Sequence, residues 1–152
     1  MAAHTDRPII FPISNPTKLI EAMPDDLLKW TDGRVLTATG IPVDDVEYKD
    51  TTYTIGQANN ALVYPGVGFG AIAVHAKIVN EQMLAAAAHA LGGIVDPDQP
   101  GAAVLPPVEK LEEFSTKVAE VVAQSAIDQG LAGDGITAAK QAVADLKWVP
   151  RY

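Results

Sequence analysis

Ile9-Ile10-Phe11-Pro12-Ile13-Ser14-Asn15-Pro16-Thr17 sets the class of fold. Its first five residues form a continuous apolar run, the pattern of a strand buried on both faces of a parallel sheet. Pro12 has no N–H for a strand ladder, so pairing is interrupted there or confined to one side. Pro16 biases Asn15 toward extended backbone, which places Asn15 at the carboxyl end of the strand. In open α/β sheets that edge is where ligands bind, although an Asn in this setting also serves simply to close a turn.

Outward from this stretch, Pro24-Asp25-Asp26-Leu27-Leu28-Lys29-Trp30 opens a helix. Proline is preset for a first turn, and the carboxylates lie near the positive end of the dipole. Adjacent helical positions diverge by about 100°, so Asp25 and Asp26 read as helix-start residues rather than as two ligands of one ion. Thr31-Asp32-Gly33 stops the helix, and Val35-Leu36-Thr37-Ala38-Thr39 reads as a second strand ending in Gly40-Ile41-Pro42. The result is a strand, helix, strand unit. The stretch 46–55, with Lys49-Asp50 at its middle, reads as a hairpin at the rim of the sheet.

Ile55-Gly56-Gln57-Ala58-Asn59-Asn60 follows directly. A carboxamide offers two donors and an acceptor, so paired Asn side chains can read a carboxylate, a hydroxyl and another carboxamide together. The same pair is equally at home in a turn. Ala61 to Tyr64 reads as a further short buried strand, after which Pro65 begins a helix running through Val74 toward Ile78. Gly66-Val67-Gly68-Phe69-Gly70-Ala71 has the form of a dinucleotide fingerprint. That motif requires a second parallel strand ending in an acidic residue about 20 positions on, whereas Glu81 to Leu91 continues as an alanine-rich helix. Close helix packing through small residues is the better reading.

Residues 96–101 form a loop by their turn chemistry. Leu111, Phe114, Val118, Val121 and Val122 then recur at helical spacing within a helix over 108–129 capped by Gly130. A last amphipathic helix spans 136–146. The terminal Trp148, Val149, Pro150, Arg151 and Tyr152 pack either on the core or on a partner.

Composition narrows the function classes. Eleven Lys and Arg against 19 Asp and Glu leave a net charge of −8, which argues against binding a phosphate backbone. No nucleic-acid partner is expected. Cysteine is absent, which removes thiolate nucleophiles, disulfides and Cys-ligated metals. The start of the chain lacks a secretory n-region and h-region, and no apolar run reaches membrane-spanning length, so a cytoplasmic protein without a membrane partner is expected. His4, His75 and His89 form no H-x-x-x-H pair, and neither a G-x-S-x-G elbow nor a Walker loop is present. No catalytic and no metal-ligating residues are assigned.

Arg7 to Thr17, Trp30-Thr31-Asp32-Gly33-Arg34, Ala38-Thr39-Gly40, Gly56-Gln57-Ala58-Asn59-Asn60 and Tyr64-Pro65-Gly66 together resemble the malic enzyme family in order and spacing. The resemblance runs from Arg7 to Gly130, and the tail from Leu146 to Tyr152 is most similar to the malolactic branch. It implies an α/β fold: the carboxy-terminal half of a Rossmann-type NAD-binding domain over 1–101, followed by a helical segment over 102–152. It also implies NAD and a manganese or magnesium ion as cofactors, L-malate as substrate, and either decarboxylation to L-lactate or oxidative decarboxylation to pyruvate. Asn15 and Asn59 would serve both cofactor and substrate, and Asn60 the substrate.

Ile41 and Val43 depart from the family's Ser and aromatic residue. Met23 replaces a Thr or Ser helix cap, which should weaken that cap by ~1 kcal/mol. The family's acid and base pair, metal carboxylates and main pyrophosphate loop would lie upstream of Met1. The chain therefore resembles a carboxy-terminal fragment, inactive alone, whose partner is the upstream part of the same enzyme and which belongs to a homo-oligomer. A non-catalytic binding or oligomerisation module is the competing reading, since a half sheet exposes an edge.

Overall fold

A computed structural model describes residues 1–96 and 98–148. It resolves into two compact units that interleave along the chain, the first comprising 1–59 with 92–109 and the second 60–91 with 110–152. Along the chain the units change at 59/60, 91/92 and 109/110.

The first unit is built on a parallel sheet. Strands β1 (Ile9–Ile10), β2 (Leu36–Thr39) and β5 (Gly56–Gln57) lie in the order β1-β2-β5. The register sets Ile9 beside Leu36 and Ala38 beside Gly56. Helix α1 (Pro24–Thr31) connects β1 to β2 and buries Leu27 and Leu28 with Val35, backed by Ile10, Val46, Tyr48 and Tyr53. Met23 occupies its N-cap position without a side-chain hydrogen bond, as expected of a residue with no acceptor there. At the other end, Gly33 N–H reaches Leu28 O and Asp32 N–H reaches Lys29 O, a Schellman closure with Asp32 in the left-handed region. The expected hairpin is present as β3 (Val46–Tyr48) and β4 (Thr51–Tyr53), turning at Lys49-Asp50.

Two expected strands differ from those observed. The run 9–13 pairs only at Ile9 and Ile10, and Ile9, Phe11 and Ile13 stand 61%, 42% and 58% exposed rather than buried. β1 is the outer strand of this sheet, and Pro12 uses its carbonyl, not a missing N–H, to accept from Gly40 at 2.9 Å. The expected strand at Ala61 to Tyr64 is a 3₁₀ turn over Asn60–Leu62 leading straight into a helix. Pro65, preset for a first helical turn, prevents extension there, and the third strand lies at Gly56–Gln57, before the Asn pair.

The second unit is helical: α2 (Tyr64–Ala73), α3 (Glu81–Gly92), α4 (Leu111–Asp128) and α5 (Ala139–Leu146). Its core gathers Val67, Val74, Met83, Ala87, Val118, Val122 and Val143. α2 stops at Ala73, short of Ile78, because His75 adopts a left-handed backbone and its N–H closes on Ile72 O. Asn80 caps α3 by accepting from Met83 N–H at 3.1 Å and donates to Gln129 at 2.6 Å. Gly130 caps α4 as expected, in left-handed backbone with Leu131 N–H returning to Ala126 O. α4 is preceded by a 3₁₀ turn at Val108–Lys110, and α5 begins three residues later than expected. Of the terminal aromatic residues, Trp148 is exposed, and 149–152 lie outside the described residues.

Candidate functional site

Parallel pairing brings the carboxyl ends of β1, β2 and β5 to one edge. Each strand then runs into a short connection held by backbone hydrogen bonds across that edge. Gly40 N–H donates to Pro12 O at 2.9 Å, and Ala58 N–H donates to Thr39 O at 2.8 Å. A Cβ at Gly40 would meet Ile13 O at 2.3 Å, so only glycine lets the two chain ends approach this closely. Thr39 is fully buried, and its hydroxyl donates to Ile41 O at 2.8 Å, folding the exit of β2 back on itself. Ile41 is buried and supplies this contact through its carbonyl alone.

Asn15 leaves β1 at this edge and Asn59 leaves β5 there, and both are exposed. Asn59 N–H is turned back to Gln57 O at 3.1 Å, while Gln57 Nε2 donates to Gly40 O at 3.4 Å, linking the exits of β5 and β2. The Asn15-Pro16 peptide bond is cis. Asn60, also exposed, follows Asn59 directly and opens the 3₁₀ turn of the second unit. β1 ends at Ile10, so Asn15 lies in the segment that leaves the carboxyl end of β1 rather than at the end of the strand itself, and Asn59 follows β5 off the same edge.

Two side chains at this edge carry no signal in the sequence. Glu21 receives Ser14 Oγ–H on one carboxylate oxygen at 2.7 Å and Ser14 N–H on the other at 3.3 Å. The Ser14 hydroxyl is the main cause holding the Glu21 carboxyl below the usual carboxylate range. Nothing in a Ser and a Glu seven positions apart announces this pairing, because it depends on the 3₁₀ turn over Thr17–Leu19 that lies between them.

The fingerprint-like glycines stand elsewhere. Gly66, Gly68 and Gly70 all lie inside α2, where a strand-to-helix phosphate turn would need an irregular loop. Cβ atoms at Gly66 and Gly70 would meet Val118 Cβ at 2.6 Å and Ala119 O at 2.4 Å, so these two glycines let α2 approach α4.

A cavity of about 380 Å³ in the first unit sits at the opposite end of the sheet, lined by residues that enter the strands, among them Arg7, Arg34, Val35, Thr54 and Ile55. Its two arginines are held locally. Arg7 pairs with Asp98, and the Arg34 guanidinium is held by the carbonyls of Asp6 and Thr31. Among the described residues, no three His, Asp or Glu side chains gather to hold a metal ion, and no helix is long and apolar enough to cross a membrane.

Residues 1–127 match the family described as malic enzyme, NAD binding domain. The whole chain is 71% identical to a malolactic enzyme of Lactiplantibacillus plantarum and 51% identical to one of Lactococcus lactis. It is also 46% identical to a putative NAD malate oxidoreductase of Mycobacterium tuberculosis. The chain spans 28% of the length of each of these relatives. Among solved structures it resembles the malic enzyme of Pyrococcus horikoshii, with a TM-score of 0.65 and 26% identity over 90% of this chain and 28% of that one. With a matching family domain over most of its length and a parallel sheet of the corresponding kind, the chain belongs to the malic enzyme family.

Proposed function

We propose that this chain is the carboxy-terminal, NAD- and malate-facing portion of a malolactic enzyme that converts L-malate to L-lactate and carbon dioxide with NAD and manganese or magnesium. The observation that supports this reading is that the segments carrying Asn15 and Asn59 follow β1 and β5 off the same carboxyl edge of a parallel sheet, the edge at which such sheets take nucleotides. Each carboxamide NH₂ can donate to a carboxylate or nicotinamide carbonyl, and each C=O can accept from a ribose or malate hydroxyl. Asn60 extends the same chemistry toward malate.

The residues present fit the nicotinamide end of NAD by this donor set; bound there, NAD supplies a hydride acceptor. They do not fit the pyrophosphate, since the described glycine-rich stretch is helix interior. They do not fit a metal either, for want of a gathered donor set among the described residues. Those groups, and the acid and base of the reaction, belong in this reading to the remainder of a longer, cytoplasmic, homo-oligomeric enzyme. The chain alone is expected to be inactive.

A second reading, an NAD-dependent malic enzyme releasing pyruvate, draws on the 46% identity to the Mycobacterium tuberculosis malate oxidoreductase. A third, an isolated binding or oligomerisation module, draws on the exposed Ile9 of the outer strand and the exposed Phe11 and Ile13 just after it.

The test is a full-length Lactiplantibacillus plantarum malolactic enzyme carrying this chain as its matching segment, assayed with L-malate, NAD and Mn²⁺. Release of L-lactate without NADH is expected, and Asn59→Ala should lower kcat/KM by about tenfold or more through loss of its hydrogen bonds. Pyruvate with stoichiometric NADH would favour the malic reading. Unchanged kinetics in Asn59→Ala would remove Asn59 from the site.

A further inference from the structure

We infer that Glu21 is a positioning residue for Asn15, fixing from outside the site the loop that presents the carboxamide. This rests on the proposed role of Asn15. The backbone is secured on both sides of Asn15. On the amino side, Ser14 gives both its N–H and its hydroxyl to Glu21, one to each carboxylate oxygen, at 3.3 Å and 2.7 Å. On the carboxyl side, Pro16 O accepts from Leu19 N–H at 2.8 Å and Thr17 O from Ile20 N–H at 3.3 Å, winding the turn that returns the chain to Glu21.

Residues 14–21 therefore form a closed loop, and Asn15 is its member between the two fastenings. A carboxylate is suited to this task because its two oxygens take both Ser14 donors at once, and charge-assisted hydrogen bonds are the stronger kind. An Asn side chain has only two rotatable bonds, and the backbone conformation restricts which rotamers it adopts, so fixing the backbone narrows where the carboxamide can point. Sites carried on loops need such support from groups that do not touch the ligand, since small misplacements are costly to catalysis. Both Glu21 oxygens are turned to Ser14, which leaves Glu21 as a support and Asn15 as the contact.

The test uses the same full-length enzyme with L-malate, NAD and Mn²⁺, comparing Asn15→Ala, Ser14→Ala, Glu21→Ala, Glu21→Gln and the Ser14→Ala/Glu21→Ala double variant. Glu21→Ala should lower kcat/KM on the order of tenfold. Glu21→Gln, which keeps a carbonyl oxygen for the Ser14 hydroxyl, should recover part of that loss. The double variant should be no worse than Glu21→Ala, because both changes open one clamp. Hydrogen exchange at Ser14 N–H should accelerate in Glu21→Ala while Gly40 and Ala58 stay protected.

Glu21→Ala within about twofold of the parent, beside an impaired Asn15→Ala, would overturn the positioning role alone. A fall in Tm with kinetics of the folded enzyme unchanged would do the same. Normal kinetics in Asn15→Ala would overturn the role of Asn15 itself, and the positioning role with it.

Discussion

Lys49 Nζ stands 2.7 Å from Asp32 Oδ1, tying the tip of the β3–β4 hairpin to the carboxyl end of α1. The Tyr48 hydroxyl donates to the same oxygen at 3.1 Å. Both Asp32 and Lys49 hold left-handed backbone, with φ of 56° and 53°. The Lys49 hydrogen bond, followed by that of Tyr48, depresses the Asp32 carboxyl below its ordinary value. A carboxyl depressed in the folded state adds stability above the unfolded value of ~3.9 and loses it as pH falls through the folded value. Asp32→Asn keeps a residue tolerant of left-handed backbone and removes the charge. It should be less stable than the parent at neutral pH, and urea denaturation should show the gap closing as pH drops below about 4. A gap that does not change with pH would rule out the ionised carboxylate as its source.

Three glycines of α2 should respond in opposite directions to the same substitution. Gly68 faces open space, so Gly68→Ala should stabilise the chain by about 0.5–1 kcal/mol through better helix propensity. Gly70→Ala drives a methyl to 2.4 Å from Ala119 O and should destabilise by about 1–3 kcal/mol, with Gly66→Ala similar against Val118. Equilibrium denaturation of the three variants measures this. A destabilised Gly68→Ala would point to a neighbour that the helix interior does not show.

Gly40→Ala should strike both fold and site. Its methyl would lie 2.3 Å from Ile13 O, forcing apart the exits of β1 and β2 that Gly40 N–H and Pro12 O hold together. A loss of about 1–3 kcal/mol is expected by denaturation. In the full-length enzyme the loss of kcat/KM should exceed what the unfolded fraction explains, because Asn15 lies two residues after Ile13 in the segment that leaves β1. Kinetics scaling with the folded fraction alone would confine Gly40 to stability.

Much of this architecture is legible along the chain where a local cause decides it. Pro24 with the following carboxylates starts α1, Asp32-Gly33 stops it, and Gly130 ends α4. Asn15 reads as a strand-exit residue because Pro16 restricts it. β5 is not legible: Gly56-Gln57 has no strand propensity and becomes a strand by pairing with Ala38 and Thr39. Ala61 to Tyr64 shows the converse, an apolar run taken into a turn and helix by Pro65.

What the amino-acid sequence determined by itself is the strand, helix, strand unit up to Thr39, the bounds of α1 and the end of α4, the family, and the identity of the carboxamides, because caps, prolines and motif spacing act over a few residues. What only the tertiary structure decided is which residues meet: β5 beside β2, Glu21 under Ser14, Gly66 and Gly70 against α4, and the exits of β1 and β5 on one edge. Those meetings depend on hydrogen bonds and contacts formed when the chain closes on itself, and no local pattern encodes the partner.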